Sequence, residues 1–374
     1  MNRVNRVNRV NRVNRRSVAV IGGGIIGLSC ADELLRAGHE VVVCDPAPAT
    51  GATHAAAGML APAGEAWFGE EALLRLGLDS LARWPEYAAN LEQRSGTDVD
   101  LRSTGTLLVG MDRDDLIDVR RSCALLEESG VRVEPLDREA LWRREPGLSS
   151  RVAGGVWLPH DRHVDPRRVA VALLAVLGDR VVRQRATPVE GGVLLEDGRV
   201  LAADVVVLAT GATGLASVRA VRGEVIRVRT PDAPTHMVRA RVHGQPVYVV
   251  PRSDGEVVIG ATEEEHPGHS APTVGGMARL LDAARQLLPG LDTAEFIDAV
   301  ARDRPGTPDN GPLLGVLEGT GAQRPIVAGG HYRGGVLLAP VTAAVVRALV
   351  EESPPPDVAA PFHPDRFERT TPCL

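Results

Sequence analysis

Three glycines spaced Gly22-x-Gly24-x-x-Gly27 constrain this chain more than any other feature. The residues before them, Ser17–Ile21, form a β-rich apolar run. Ile25–Ala37 then carries helical spacing and stops at Gly38, and Glu40–Cys44 is a second apolar strand closed by Asp45. A strand, a tight turn, a helix and a second strand with short connections make a βαβ unit, which predicts an α/β fold with a parallel, doubly wound sheet. Each residue type has a physical task. Gly22 permits the tight turn, Gly24 lets the backbone approach a pyrophosphate, and Gly27 lets the helix pack close to the sheet. The helix N-terminus offers N–H groups to an anion. Asp45 can accept hydrogen bonds from ribose hydroxyls, and its charge disfavours a 2′-phosphate.

A length of 374 residues exceeds what one hydrophobic core usually organises, so two domains are expected. The formal charge is −6, but Arg3, Arg6, Arg9, Arg12, Arg15 and Arg16 all fall in the first sixteen residues. Without them 36 basic residues face 48 acidic ones, a body at −12 that argues against nucleic acid or an anionic membrane as partner. No apolar run approaches the roughly 18 to 20 residues of a membrane span. Residues 1–16 repeat Asn-Arg-Val, a period that fits neither helix nor strand, and are expected to be a disordered tail. Cys30, Cys44, Cys123 and Cys373 form no CxxC pair and no zinc spacing, so no metal is expected and a reducing cytoplasm fits.

Farther along, residues 51–64 are small, glycine-rich and unperiodic, and read as a loop lying close to something. Glu70–Leu81 and Asp112–Ser129 carry helical spacing, and Gly105–Val109 and Val131–Val133 are short strand candidates. Asp165-Pro166 predicts an N-cap and first helical residue, opening a helix to about Leu177. Val193–Glu196 and Arg199–Leu201 flank an Asp-Gly hairpin turn. Asp204–Ala209 is a strand ending in Thr210-Gly211. Gly223–Thr230, Gln245–Arg252 and Gly255–Thr262 are successive strands that suggest an antiparallel sheet; Gly276–Leu288 is helical and Ala294–Arg302 strand-like. Strand Ile326–Ala328, the turn GGHYRGG and an apolar helix to about Val350 finish the chain. Nucleotide-binding character at both ends implies a discontinuous Rossmann-like domain over residues 17–85, 151–218 and 300–365. A second domain, built on the antiparallel sheet, is expected over 86–150 and 219–299.

The second helix N-terminus, after GGHYRGG, points to a flavin rather than a nicotinamide. A reduced flavin carries negative charge that a helix N-terminus stabilises. VIGGGIIG (Val20–Gly27), THAAAGML (Thr53–Leu60), YVVPR (Tyr248–Arg252), VIGAT (Val258–Thr262), RPGTPDNGPLLG (Arg304–Gly315) and GHYRGGVLLAP (Gly330–Pro340) together resemble the FAD-dependent D-amino-acid-oxidase superfamily, and within it the glycine oxidases of thiamine biosynthesis. The resemblance runs from about Val18 to the last helix.

That resemblance implies non-covalent FAD, a small amino-acid substrate, oxygen as acceptor and a homo-oligomer, perhaps a tetramer. Ile25 and Ile26 would pass the pyrophosphate, with Asp45 and Pro46 at the adenosine end and Val189 on the adenine side. Ala52, Thr53, Ala57, Gly58 and Met59 would line the flavin, with Gly211 at the end of its strand. His331, Tyr332, Arg333, Gly334, Gly335, Val336 and Leu337 would wrap the isoalloxazine. Arg304 would clamp the substrate carboxylate, Tyr248 would hydrogen-bond it, and Arg333 would border the amine. A planar guanidinium suits a carboxylate, to which it can give two parallel hydrogen bonds. The chemistry implied is oxidation of the C–N bond of glycine or another small amino acid to an imine, which hydrolyses to a 2-oxo acid and ammonia, with hydrogen peroxide formed from oxygen; the alternatives are a sarcosine or D-amino-acid oxidase, or a flavin amino-acid dehydrogenase that passes electrons to a carrier. Three residues depart from the glycine oxidase pattern: Pro246 where His is common, Glu263 where Met is common, and His54 where Ser is usual.

Overall fold

In the computed structural model, which describes residues 15–265, 270–317 and 324–367, two large sheets carry the fold. The first has six strands in the order 313–316, 326–329, 205–208, 17–21, 40–44 and 181–182. All its neighbours run parallel except Leu313–Val316, which is antiparallel to Ile326–Gly329. Ser17–Ile21 thus lies at the centre, and its apolar side chains are buried as a continuous hydrophobic run should be. The helices Ile25–Arg36 and Pro166–Leu177 pack beside it. The second of these starts as its sequence predicts: the Asp165 side chain accepts from the N–H groups of Arg167 and Arg168, and Pro166 opens the helix.

The last helix, Gly335–Val350, is buried between the first helix and Glu71–Ser95. Tyr332–Val350 is long and apolar enough to cross a membrane, which differs from the sequence expectation. Here 67% of its most apolar window is covered by the rest of the chain. Pro340 lacks an N–H and opens one turn of this helix. Glu71–Ser95 fills the gap: Ser80 Oγ and Trp84 Nε1 donate to the Leu337 carbonyl at 2.6 and 2.9 Å, and Val341 N–H donates to Ser80 Oγ.

The second sheet has eight strands in the order 295–306, 219–229, 256–260, 245–251, 237–242, 106–110, 154–158 and 134–136. It is antiparallel apart from one parallel pair, Met237–Val242 beside Thr106–Gly110, which joins its two halves. Two expected boundaries cut through this sheet: Gly154–Leu158 belongs to it, and Glu295–Gly306 runs across position 300. The expected strand Val131–Val133 is instead Glu134–Leu136, and the loop 51–64 contains a short helix, Ala52–Ala55, and a strand, Met59–Leu60. Of the tail, residues 1–14 lie outside the described residues. Arg15 and Arg16, expected to be disordered with it, are fixed by Glu40 and Glu352.

Candidate functional site

The glycine loop shows why its residues must be small. Gly22 has φ +110°, and a β-carbon there would stand 2.1 Å from the Ala209 carbonyl oxygen, at the end of the neighbouring strand. A β-carbon on Gly27 would meet the Gly22 carbonyl at 1.9 Å, so the helix rests directly on the turn. No side chain caps Gly24, and Thr53 Oγ1 accepts from the Ile25 N–H at 2.9 Å. Asp45 turns toward the same loop: its two oxygens accept from Gly23 N–H at 2.6 Å and Ala47 N–H at 2.8 Å.

From this loop a single cavity of about 1240 Å³ runs to the second sheet. That is more room than one drug-sized ligand needs and suits a dinucleotide with a substrate beside it. Gly22, Gly24, Ile25, Ile26, Asp45, Ala52, Thr53, Ala57, Gly58, Met59 and Gly211 line it, as do His331, Tyr332, Arg333, Gly335, Val336, Tyr248 and Arg304. Five expected residues do not. Gly27 packs the helix onto the turn, and Pro46 lies outside the lining. Val189 belongs to the separate three-stranded sheet of Ala186–Val189, Gly192–Leu195 and Val200–Ala202. Gly334 and Leu337 face the packing beneath, where the Leu337 carbonyl is taken by Ser80 and Trp84.

At the far end two side chains lie across bare backbone. A β-carbon on Gly223 would fall 2.1 Å from Arg304 Nη1, and one on Gly260 would fall 2.2 Å from the Tyr248 hydroxyl. Strand pairing explains both, since Tyr248 sits opposite Gly260 and Arg304 runs beside Val221 and Gly223. Arg304 Nη1 donates to the Thr262 carbonyl at 3.1 Å. Among the described residues no carboxylate lies within ion-pair distance of Arg304 or of Arg302, whereas Arg239 and Arg333 on the same cavity are matched. Arg239 pairs with Glu65 at 3.1 Å, and Arg333 with Glu70 at 2.6 Å, which also accepts from Asn310. Burial raises the Tyr248 phenol while the Arg304 charge opposes the rise. Burial and the neighbouring Glu263 carboxylate push the Tyr332 phenol up to about 12. His331 lines the cavity, but its Nε2 is bonded to Thr342 Oγ1 at 2.9 Å and burial pulls it down to about 3, so it stays neutral.

Sequence reasoning did not find Glu65, Glu70 or Arg239. The alternation in Met237–Val242, with Arg239 and Arg241 between apolar residues, is the signal that could have located Arg239. None of the described cysteines lines the cavity; all three are buried. Asp112, Asp115 and His243 come close enough together to suggest a cation. Their hydrogen bonds are already used, however: Asp112 caps the helix Arg113–Glu128 and meets His243 Nδ1, and Asp115 holds the turn at His243 and Gly244.

Comparison with known proteins agrees with this geometry. The family profile described as FAD dependent oxidoreductase matches residues 17–349. A bifunctional ThiO/ThiG protein of Trichormus variabilis is 33% identical over 96% of this chain, and the chain spans only 56% of that protein's length. A glycine oxidase of Geobacillus kaustophilus is 32% identical over 92% of this chain and 95% of its own length. The crystal structure of glycine oxidase from Geobacillus kaustophilus superposes with a TM-score of 0.85 at 31% identity, over 93% of this chain and 98% of that one. The small-residue lining and the glycine turn at one end fit a dinucleotide, and the chain therefore belongs to the D-amino-acid-oxidase and glycine-oxidase family of FAD-dependent oxidoreductases, with FAD as its non-covalently held cofactor.

Proposed function

We propose that this protein oxidises the C–N bond of a small free amino acid, with glycine the first candidate. The part built on the six-stranded sheet would hold FAD, and the eight-stranded sheet would close over the substrate. The observation that carries the reading is Arg304: a cavity-facing guanidinium, fixed against Gly223, with no carboxylate of the described protein to neutralise it. A substrate carboxylate supplies the missing charge through two parallel hydrogen bonds. Tyr248, its phenol held protonated by burial, adds a neutral donor from the next wall. With the carboxylate so fixed, the Cα–H has one orientation in the cavity, and orientation of this kind lowers the barrier without any group that reacts covalently. When bound, FAD supplies the two-electron acceptor for the Cα–H bond. The substrate amine enters the reaction neutral, having lost its proton to water; His331 is tied to Thr342 and takes no part in that transfer. The imine is released and hydrolyses to a 2-oxo acid and ammonia, and oxygen leaves as hydrogen peroxide.

The glycine oxidase of Geobacillus kaustophilus supports glycine as substrate, and the family resemblance in the sequence supports thiamine thiazole formation as the use of its imine. The family resemblance supports a homo-oligomer, with a tetramer the expected state. Anaerobic addition of glycine, sarcosine and D-alanine to the yellow holoprotein tests the reaction. Loss of the oxidised flavin band with at least one of them is expected. A spectrum unchanged by all three, and by a wider panel of free amino acids, would sink the reading.

A further inference from the structure

Four arginines from distant parts of the chain each donate to a carbonyl of the cavity-lining segment 50–59. Arg302 Nε reaches the Thr50 carbonyl at 2.8 Å, and Arg167 Nε reaches that of His54 at 3.0 Å. Arg227 Nη2 lies 3.5 Å from the Ala56 carbonyl, and Arg252 Nη2 lies 2.6 Å from that of Ala57. Arg227 and Arg252 are the unusual pair, because they are 1% and 3% exposed. Arg227 has Glu256 as a partner, yet its Nε has none. For Arg252 the bond to Ala57 is its side chain's one hydrogen bond among the described residues, and its Nε and Nη1 have no partner at all. Loss of water pulls its guanidinium down to about 10.

Such a buried, half-satisfied charge costs stability; an apolar side chain of similar volume is commonly as good or better for the fold alone. What the charge does achieve is local. A trans peptide directs its N–H opposite to its carbonyl, so the planes gripped by Arg227 and Arg252 turn the Ala57 and Gly58 N–H groups away from the guanidiniums. Neither N–H finds an acceptor among the described residues, and Ala55, Ala56, Ala57, Gly58 and Met59 line the cavity. A donor bonded to the carbonyl of an amide polarises it and strengthens its N–H as a donor in turn.

We propose that Arg227 and Arg252 are positioning residues for the cofactor: they fix and polarise the Ala57 and Gly58 peptides so that two strengthened N–H donors face the redox-active ring of FAD and favour its reduced, more negative form. Arg167 and Arg302 hold the upstream half of the same segment. The inference concerns the cofactor alone and does not depend on which amino acid is oxidised.

The test uses the FAD-loaded protein with Arg252→Met, Arg227→Met and Arg252→Lys. The flavin's midpoint potential is read by equilibration with a reference dye, FAD affinity by flavin fluorescence, and melting of the apoprotein by circular dichroism. Arg252→Met should lower the ratio of reduced to oxidised flavin at a fixed dye poise about tenfold, equivalent to about 30 mV for a two-electron couple. Apoprotein melting should be unchanged or higher, a combination that a merely structural arginine would not give. Arg252→Lys, which keeps the charge and a donor, should fall between the two. Loss of FAD from a variant whose apoprotein keeps its native dichroism would support the same role. Wild-type potential and FAD affinity in Arg252→Met would overturn it. If that variant does not fold, wild-type values in both Arg252→Lys and Arg227→Met overturn it equally.

Discussion

The guanidinium of Arg304 lies over the bare Cα of Gly223, close enough that a β-carbon there would overlap three of its atoms, at 2.1 to 2.5 Å. One methyl group is therefore enough to move the carboxylate-binding group. Gly223→Ala should cost about 1–3 kcal/mol by overpacking. Steady-state kinetics should show a KM at least about tenfold higher, while the ratio of flavin to protein absorbance stays at the wild-type value.

Removing the guanidinium itself gives a cleaner loss. Arg304→Ala should weaken amino-acid binding by about 2–3 kcal/mol, the usual scale for a hydrogen-bonded charged group. Arg304→Lys should recover only part of it, since an ammonium cannot give the planar double bond. Binding is read by anaerobic titration and cofactor content by absorbance. FAD lost while substrate affinity is kept would show that the residue serves the cofactor instead.

Tyr248→Phe should be milder, because a neutral donor is lost and the ring still fills the space above Gly260. A net loss of about 1 kcal/mol is expected, roughly a fivefold rise in KM. A larger fall in kcat than in affinity would give Tyr248 a part in the chemical step.

His331 carries a prediction about acid. Burial alone holds it at about 3 against an ordinary value of 6.5. Between those values the unfolded chain binds a proton that the folded chain does not. The stability it contributes is fully present above pH 6.5 and is lost progressively as the pH falls toward 3. His331→Gln, which does not titrate, should make urea unfolding midpoints fall less steeply between pH 6.5 and 4. The kcat profile between pH 5.5 and 8 should keep its shape; an inflection that disappears in this variant would restore His331 as a base.

Glu263 lines the same cavity as Arg304 and stands where Met is common in the family, so one wall carries a negative charge. It should favour substrates with a second cation and disfavour those with a second carboxylate. In Glu263→Met the ratio of kcat/KM for D-lysine over D-glutamate should fall about tenfold, the order expected of one partly screened charge a few ångströms away. An unchanged ratio would show that the side chain does not meet the substrate.

The parts of this fold that could be read from sequence are those whose cause is local. Ser17–Ile21, Glu40–Cys44 and Asp165 with Pro166 declare themselves through apolar runs and caps, and the structure has them at the expected residues. Met237–Val242 was missed although it forms a local hairpin with Gln245–Pro251, because arginines interrupt its apolar run; its second, parallel partner Thr106–Gly110 is more than a hundred residues away, and no local pattern shows that pairing. The site divides in the same way. Motifs led to Arg304, Tyr248 and the glycine turn, which share one cavity. Arg167, Arg227, Arg252 and Arg302 look in sequence like separate solvated charges, and only folding brings them onto the carbonyls of the same short segment. Val189 lies on the three-stranded sheet and is not among the residues that line the cavity.

The open turn at Pro340 has an optical consequence. The indole of Trp84 is fully buried, and its nitrogen leans on the carbonyl of Leu337, two residues after the Gly335 that begins the helix at the cavity wall. Any strain or settling of that wall reaches the fluorophore through one hydrogen bond. The chain thus carries its own gauge, and its ultraviolet emission should register the arrival of the cofactor without an added label.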